Sequence, residues 1–374
     1  MALKVASRGS IPPFIVMDVL RAANERAAAG NDVLHLEVGQ PGTPAPRAVL
    51  EAAKLALDRD RIGYTDAKGI PSLRARIARH YEETYGVEVD TARIMVTPGS
   101  SGGFLLGFLA AFDAGDRVAL AAPGYPAYRN ILTALGIEPV LLLTDAEHRF
   151  QPTPELLDAV AGRLDGLILA SPSNPTGTML GRQELTDLVE ACRARSIRLI
   201  SDEIYHGIGY GEPAVSALEL SREAVVINSF SKYYSMTGWR LGWMVLPEDL
   251  VRPVECLGQN FFVSAPALSQ IAGEVAFDCK EELDAYVAAY ARNRALLLEA
   301  LPEAGFDSLA PADGAFYLYA DVSRLTNDSE EFCRRMLAET GVAIAPGVDF
   351  DPERGNRFVR FSFAGPEAEM VEAA

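Results

Sequence analysis

The chain has 374 residues, 49% of them hydrophobic and 23% charged, with a formal net charge of −17. That length exceeds one usual hydrophobic core and calls for two packed units. The charge argues against nucleic acid or an anionic membrane as a partner, and neither a membrane-length apolar run nor a signal-like stretch after Met1 is present, so a cytoplasmic protein is expected.

The first expected element is a helix over residues 14–29, followed by a Gly/Pro-rich loop at 39–46 and further helices. From about residue 93, short β-branched runs alternate with amphipathic stretches, the pattern of an α/β fold. The runs fall at 94–96, 118–120, 140–143, 167–169, 199–200, 225–227 and 241–246. Short apolar strands separated by helices, such as the one over 184–195, predict a largely parallel sheet buried on both faces. A long helix over 281–300 comes next, then a strand-and-helix region. The order predicts an α/β large domain, with a mostly parallel seven-stranded sheet between helices. A smaller α+β domain would combine the N-terminal arm with the C-terminal third. The expected division is 1–45 for the arm and part of the small domain, 46–280 for the large domain and 281–374 for the small one.

Cys192, Cys256, Cys279 and Cys333 are scattered and form no C-x-x-C, so reduced structural thiols are expected. His35, His80, His148 and His206 make no metal-binding spacing, so no catalytic metal is expected. His206 is read as a packing or hydrogen-bonding residue.

Ligands of open α/β sheets bind outside the carboxyl ends of the strands, so the loops there carry the chemical interest. The first, M-V-T-P-G-S-S-G-G-F at 95–104, runs from a strand into a helix start. It reads either as an anion site built from N–H groups and serine hydroxyls or as a plain capped helix. In P-G-Y-P-A-Y at 123–128, Tyr125 either stacks on a planar ligand or packs in a turn. In S-P-S-N-P-T-G-T at 171–178, Asn-Pro and Gly make a turn, and function requires Asn174 to aim into a site. In S-D-E-I-Y at 201–205, Asp202 ends an apolar strand, where a carboxylate is costly unless something positive meets it. The stretch S-F-S-K-Y-Y-S-M-T-G-W-R at 229–240 puts Lys232 just beyond another strand. In R-F-V-R-F-S-F-A at 357–364, Arg360 either binds a carboxylate with its planar fork or snorkels to water. Each signal is modest alone; five strand-end loops in this order are not.

In combination, N-P-T-G, S-D-E-I-Y, S-F-S-K with the following G-W-R-x-G, and V-R-F-S-F-A resemble the class I pyridoxal-phosphate-dependent aminotransferases. This is the aspartate-aminotransferase-like, fold type I group, and the resemblance runs from about residue 36 to 364. It implies that Lys232 forms a Schiff base with pyridoxal 5'-phosphate and then moves the proton between Cα and the cofactor. Ser100, Ser101, Ser229, Ser231 and Arg240 would hold the phosphate, with Tyr64 of G-Y-T-D lent by the neighbouring subunit of a homodimer. Tyr125 would stack on the ring and Asp202 would pair with its nitrogen. Asn174 and Tyr205 would hydrogen-bond the ring oxygen. Arg360, Asn174 and the backbone of Gly39 would bind the substrate carboxylate. The implied activity is transfer of an amino group from an amino acid to a 2-oxo acid.

Two departures stand out. The sequence ends at E-M-V-E-A-A, short of the longer closing helix usual in the family. Ser100-Ser101 replaces the lysine-bearing version of that loop, and the stretch 259–266 carries no charge where others place an arginine for the substrate side chain. With apolar residues at 11–15 and 314–317, this predicts a neutral donor, unless Arg129 or Arg8 approaches from a loop. The alternative within the fold is a C–S lyase or another eliminating enzyme. A cofactor-binding transcription regulator lacks its DNA-binding module here, and a nicotinamide dehydrogenase lacks its glycine fingerprint.

Overall fold

The structure, a computed structural model, describes residues 3–59 and 61–374. Its central sheet has seven strands in the order Ile94–Thr97, Gly242–Val245, Val225–Ser229, Arg198–Asp202, Gly166–Ala170, Arg117–Ala122 and Glu138–Leu143. All seven expected runs are in it. Gly242–Val245 alone runs antiparallel to its neighbours.

The apolar runs are explained by burial on both faces. Ile94, Val96, Leu167, Leu169, Val226 and Trp243 enter one hydrophobic cluster, whereas Met95, Ile168, Val225, Ile227 and Met244 enter another. Successive residues of each strand therefore face opposite helical layers, both apolar, and the buried polar side chains Thr97, Asp202 and Ser229 are left to the strand ends.

The expected helices also form, as Ile15–Ala28, Arg182–Ala194 and Lys280–Glu303. The last leads to a three-stranded antiparallel sheet of Ala345–Pro346, Phe358–Ser362 and Tyr317–Asp321. Leu34–His35 pairs in parallel with Val342–Ala343, so N-terminal and C-terminal segments share one layer. Glu367–Ala373 is a seven-residue helix that buries Met370 and pairs Glu367 with Arg292 at 3.2 Å. The four cysteines are unpaired, and no cluster of metal-ligating side chains occurs among the described residues.

What matters for the site is the shared end of the strands. Thr97, Ala122, Ala170, Asp202 and Ser229 each close a parallel strand at its carboxyl end, and the loops leaving them converge.

Candidate active site

A cavity of about 550 Å³ lies where those loops meet the three-stranded sheet and the start of helix Ile15–Ala28. A larger recess, about 940 Å³, opens at the amino-terminal end of the strands, among Arg93, Arg163 and Arg222. It gathers none of the motif residues.

One wall of the cavity is an anion cradle. Ser100 and Ser101 sit in the first turn of helix Gly99–Ala111, where free N–H groups and the helix dipole favour negative charge. Ser231 and the Arg240 guanidinium line the same wall. Arg240 adopts φ +51°, a left-handed conformation that is strained for a residue with a side chain. Gly99, at φ +75°, leaves the space in which the guanidinium lies; a Cβ there would collide with it. Ser229 stands one layer back and does not line the cavity. Its hydroxyl lies 2.8 Å from that of Ser231 and 3.0 Å from the Leu241 carbonyl, and the Ser231 N–H donates to it.

The floor holds Asp202, which is buried and accepts hydrogen bonds from the Tyr128 hydroxyl and the Ile204 N–H. Burial pushes its carboxyl up to about 6, against the opposing pull of those hydrogen bonds and of the Lys232 cation. Tyr125 stands above, edge-on to Tyr128 and Phe14 with ring centroids 5.2 and 5.7 Å away. Lys232 donates its ammonium to the Gly39 carbonyl, with the rings of Tyr205 and Phe316 5.8 and 5.9 Å away. Burial, then the neighbouring Arg360 charge, lowers its pKa to about 8.

The opposite wall is organised by Arg360, 1% exposed. It does not snorkel to water. Its guanidinium is sandwiched between the faces of Tyr317 and Phe350, 4.4 and 4.7 Å from their centroids. One Nη donates to Asn174 Oδ1 at 2.8 Å and the other to the Glu37 carbonyl, while Nε has no partner. The Asn174 amide nitrogen is thereby left as the donor end, on the cavity wall. Tyr205 and Tyr317 share a hydroxyl contact of 2.6 Å. A Cβ at position 39 would overlap the Tyr317 hydroxyl, so only glycine admits both.

Two expected contributors lie outside this chain's own cavity, and for Tyr64, expected to serve a neighbouring subunit, that is the place the expectation requires. Tyr64 is 86% exposed and absent from its own chain's cavity. The uncharged stretch 259–266 likewise lies at the surface, with Phe261 and Val263 about half exposed, and forms no part of that cavity. A strand-and-turn pattern carries no information about which side of the molecule a loop crosses. Other contributors are absent from the sequence expectations. Tyr128, three residues after Tyr125, is the one that a helical spacing could have found. Phe350 and the wall of Val16, Met17 and Val38 are set by long-range packing. Arg129, a candidate second cation, donates to the Asp349 carbonyl at 2.6 Å. His206 accepts from or donates to Tyr85 at 2.7 Å and meets the Ser171 carbonyl at 3.0 Å, a hydrogen-bonding role as expected.

The family profile described as aminotransferase class I and II matches residues 31–374. A valine–pyruvate aminotransferase of Mycobacterium tuberculosis is 53% identical, over 100% of this chain and 97% of that one. The crystal structure of an aminotransferase from Mycobacterium tuberculosis superposes with TM-score 0.98 at 53% identity, covering 100% of this chain and 97% of the other. That of aspartate aminotransferase from Thermus thermophilus with maleate gives 0.92 at 30% identity, covering 100% and 98%.

Proposed function

Because this chain belongs to the class I and II aminotransferases, we propose that its cavity binds pyridoxal 5'-phosphate and takes a neutral amino acid as donor. The reaction is transfer of an amino group from an amino acid to a 2-oxo acid, and the family is dependent on that cofactor. The bound cofactor supplies a sink for the electrons released at the donor's Cα.

The residues present suit it. The helix start with Ser100, Ser101, Ser231 and Arg240 fits a phosphate, with Ser229 orienting Ser231 from behind. Asp202 fits a protonated ring nitrogen, which would give the buried carboxylate its cation. Tyr125 offers a face for the ring, and Asn174 and Tyr205 offer polar atoms for its oxygen. Lys232 would hold the cofactor and move the proton at the donor's Cα. Its lowered pKa makes the neutral amine available near neutral pH. Arg360 would meet the α-carboxylate beside Asn174 and Gly39, with the N–H groups that its fork keeps beyond those given to Asn174 and the Glu37 carbonyl. The clamping rings of Tyr317 and Phe350 keep its fork in one plane.

The charges in the cavity carry the donor assignment. Among the described residues lining it, the cations are Lys232, Arg240 and Arg360, and each already has a task. The remaining wall of Phe14, Val16, Met17 and Val38 is apolar. An acidic side chain buried there without a partner would cost several kcal/mol. The valine–pyruvate name of the 53% identical relative agrees with this. With one fixed 2-oxo acid, kcat/KM for valine, leucine or alanine is expected to exceed that for aspartate and glutamate by about tenfold or more, for roughly 1.4 kcal/mol of difference. An acidic donor ahead by the same margin would overturn the assignment.

The active unit is proposed to be a homodimer with shared sites. Tyr64 is exposed, and the neighbouring Thr65 N–H donates to Ser264 Oγ at 3.3 Å, so both loops lie on one surface with Ile62, Phe261 and Val263. Such a patch suits a second copy, whose phosphate Tyr64 would reach. Lys232→Ala and Tyr64→Ala chains, each impaired alone at limiting cofactor, should recover activity on mixing. Random pairing would leave about a quarter of the sites intact. No recovery, or a fully active monomer in sedimentation, would contradict sharing. No described helix is long and apolar enough to cross a membrane, in keeping with a cytoplasmic place.

A further inference from the structure

Asp349 lies in the turn Gly347–Asp349, before Phe350, and is 0% exposed. Its Oδ2 accepts the N–H of Val16 at 3.0 Å, across 333 positions of sequence. The Ile15 N–H also faces it. Its Oδ1 has no partner. The helix it reaches, Ile15–Ala28, has no side-chain cap of its own, because its capping position is Phe14. A carboxylate at a helix start satisfies an otherwise free N–H and complements the dipole. A buried carboxylate with one unpartnered oxygen is nonetheless an expensive cap.

What the cap holds gives the expense a purpose. Phe14, Val16 and Met17 line the cavity from that helix start. The same turn also fixes the opposite side of the donor. The Phe350 ring covers one face of Arg360, and the Phe350 carbonyl accepts the Gly124 N–H at 3.0 Å, next to Tyr125. The Asp349 carbonyl holds Arg129. One short turn thus sets the distance between the carboxylate-binding arginine and the apolar wall.

We propose that Asp349 is a positioning residue that sets donor selectivity, by holding Phe14, Val16 and Met17 against the side chain of a branched aliphatic amino acid. This rests on the neutral-donor assignment above. Alanine has too little side chain to touch that wall and serves as the internal control.

The experiment compares Asp349→Ala and Asp349→Asn with wild type. Asparagine keeps an oxygen for the Val16 N–H and removes the charge. Asp349→Ala is expected to lower kcat/KM for valine about tenfold through KM, as loss of one cap allows, while alanine changes less than about twofold. Asp349→Asn should keep the wild-type valine-to-alanine ratio. Amide hydrogen exchange over residues 14–20 should rise in Asp349→Ala and not in Asp349→Asn. Equal losses for valine and alanine would mean a merely structural cap, and so would raised exchange with an unchanged ratio; either overturns the proposal. If Asp349→Ala does not fold, Asp349→Leu removes the acceptor while filling the volume and is read in the same way. Failure of the underlying assignment is separate: it would appear as wild type preferring aspartate or glutamate.

Discussion

Lys232→Ala is expected to abolish transamination, with a loss of about 10⁴-fold or more. A positioned acid–base group alone contributes roughly 10²–10⁴-fold, and in the proposed reaction Lys232 would also supply the nucleophile that bonds the cofactor. Its surroundings suit both roles. Burial and the nearby Arg360 lower its pKa to about 8. About one lysine in ten is then neutral at pH 7, against roughly one in a few thousand for an ordinary lysine. No second amine lines the cavity among the described residues. The Ser100, Ser101, Ser231 and Arg240 cradle is untouched by the substitution, so the variant should retain cofactor without a covalent link. Borohydride treatment followed by peptide mass analysis should find the cofactor on the Lys232 peptide of wild type and nowhere on the variant. Wild-type turnover by the variant would remove the basis of the whole assignment.

Asp202→Ala is expected to slow proton removal from the donor by about 10²–10³-fold, the result of losing about 3–4 kcal/mol from one preorganised charge. The Tyr128 hydroxyl and the Ile204 N–H hold the carboxylate in one orientation at the strand end, so it would not have to reorganise to meet a protonated ring nitrogen. Single-turnover kinetics at saturating cofactor isolates this step. A change below tenfold would mean that another group supports the nitrogen. The same carboxylate has a cost in the cofactor-free chain. Its acidity moves from the ordinary 3.8 to about 6 because burial disfavours the charge. That burial is harmless below about pH 4 and increasingly destabilising as pH rises through 6. Asp202→Asn should therefore raise the Tm of cofactor-free protein at pH 8 and have less effect at pH 4.

The sheet was legible in the sequence because its strands are buried on both faces, which leaves a continuous apolar run rather than an ambiguous alternation. The strand-end loops were legible because glycine, proline and serine mark turns, and the turns sit at the end of the sheet where side chains can converge. Lys232, Asp202 and Arg360 stood out as charges beside apolar strands. The rest depends on closure of the chain over long distances. The Phe350 ring on Arg360 joins two elements separated by a turn, and Asp349 meets Val16 from the other end of the sequence. In one dimension G-V-D-F-D at 347–351 is an ordinary turn.

The glycine at position 39 has a practical consequence for altering this enzyme. Its missing side chain is where the Tyr317 hydroxyl stands, and its carbonyl receives the Lys232 ammonium. Any side chain at that point would have to displace the Tyr317 hydroxyl or shift the backbone whose carbonyl meets Lys232. Diversity introduced there would be lethal to turnover before it could widen the range of amines accepted. Positions 14 and 17 are different: neither side chain bonds to Lys232, Asp202 or Arg360. A combinatorial library aimed at new amine products belongs on that short stretch of chain, and the loop around Gly39 belongs among the residues held constant.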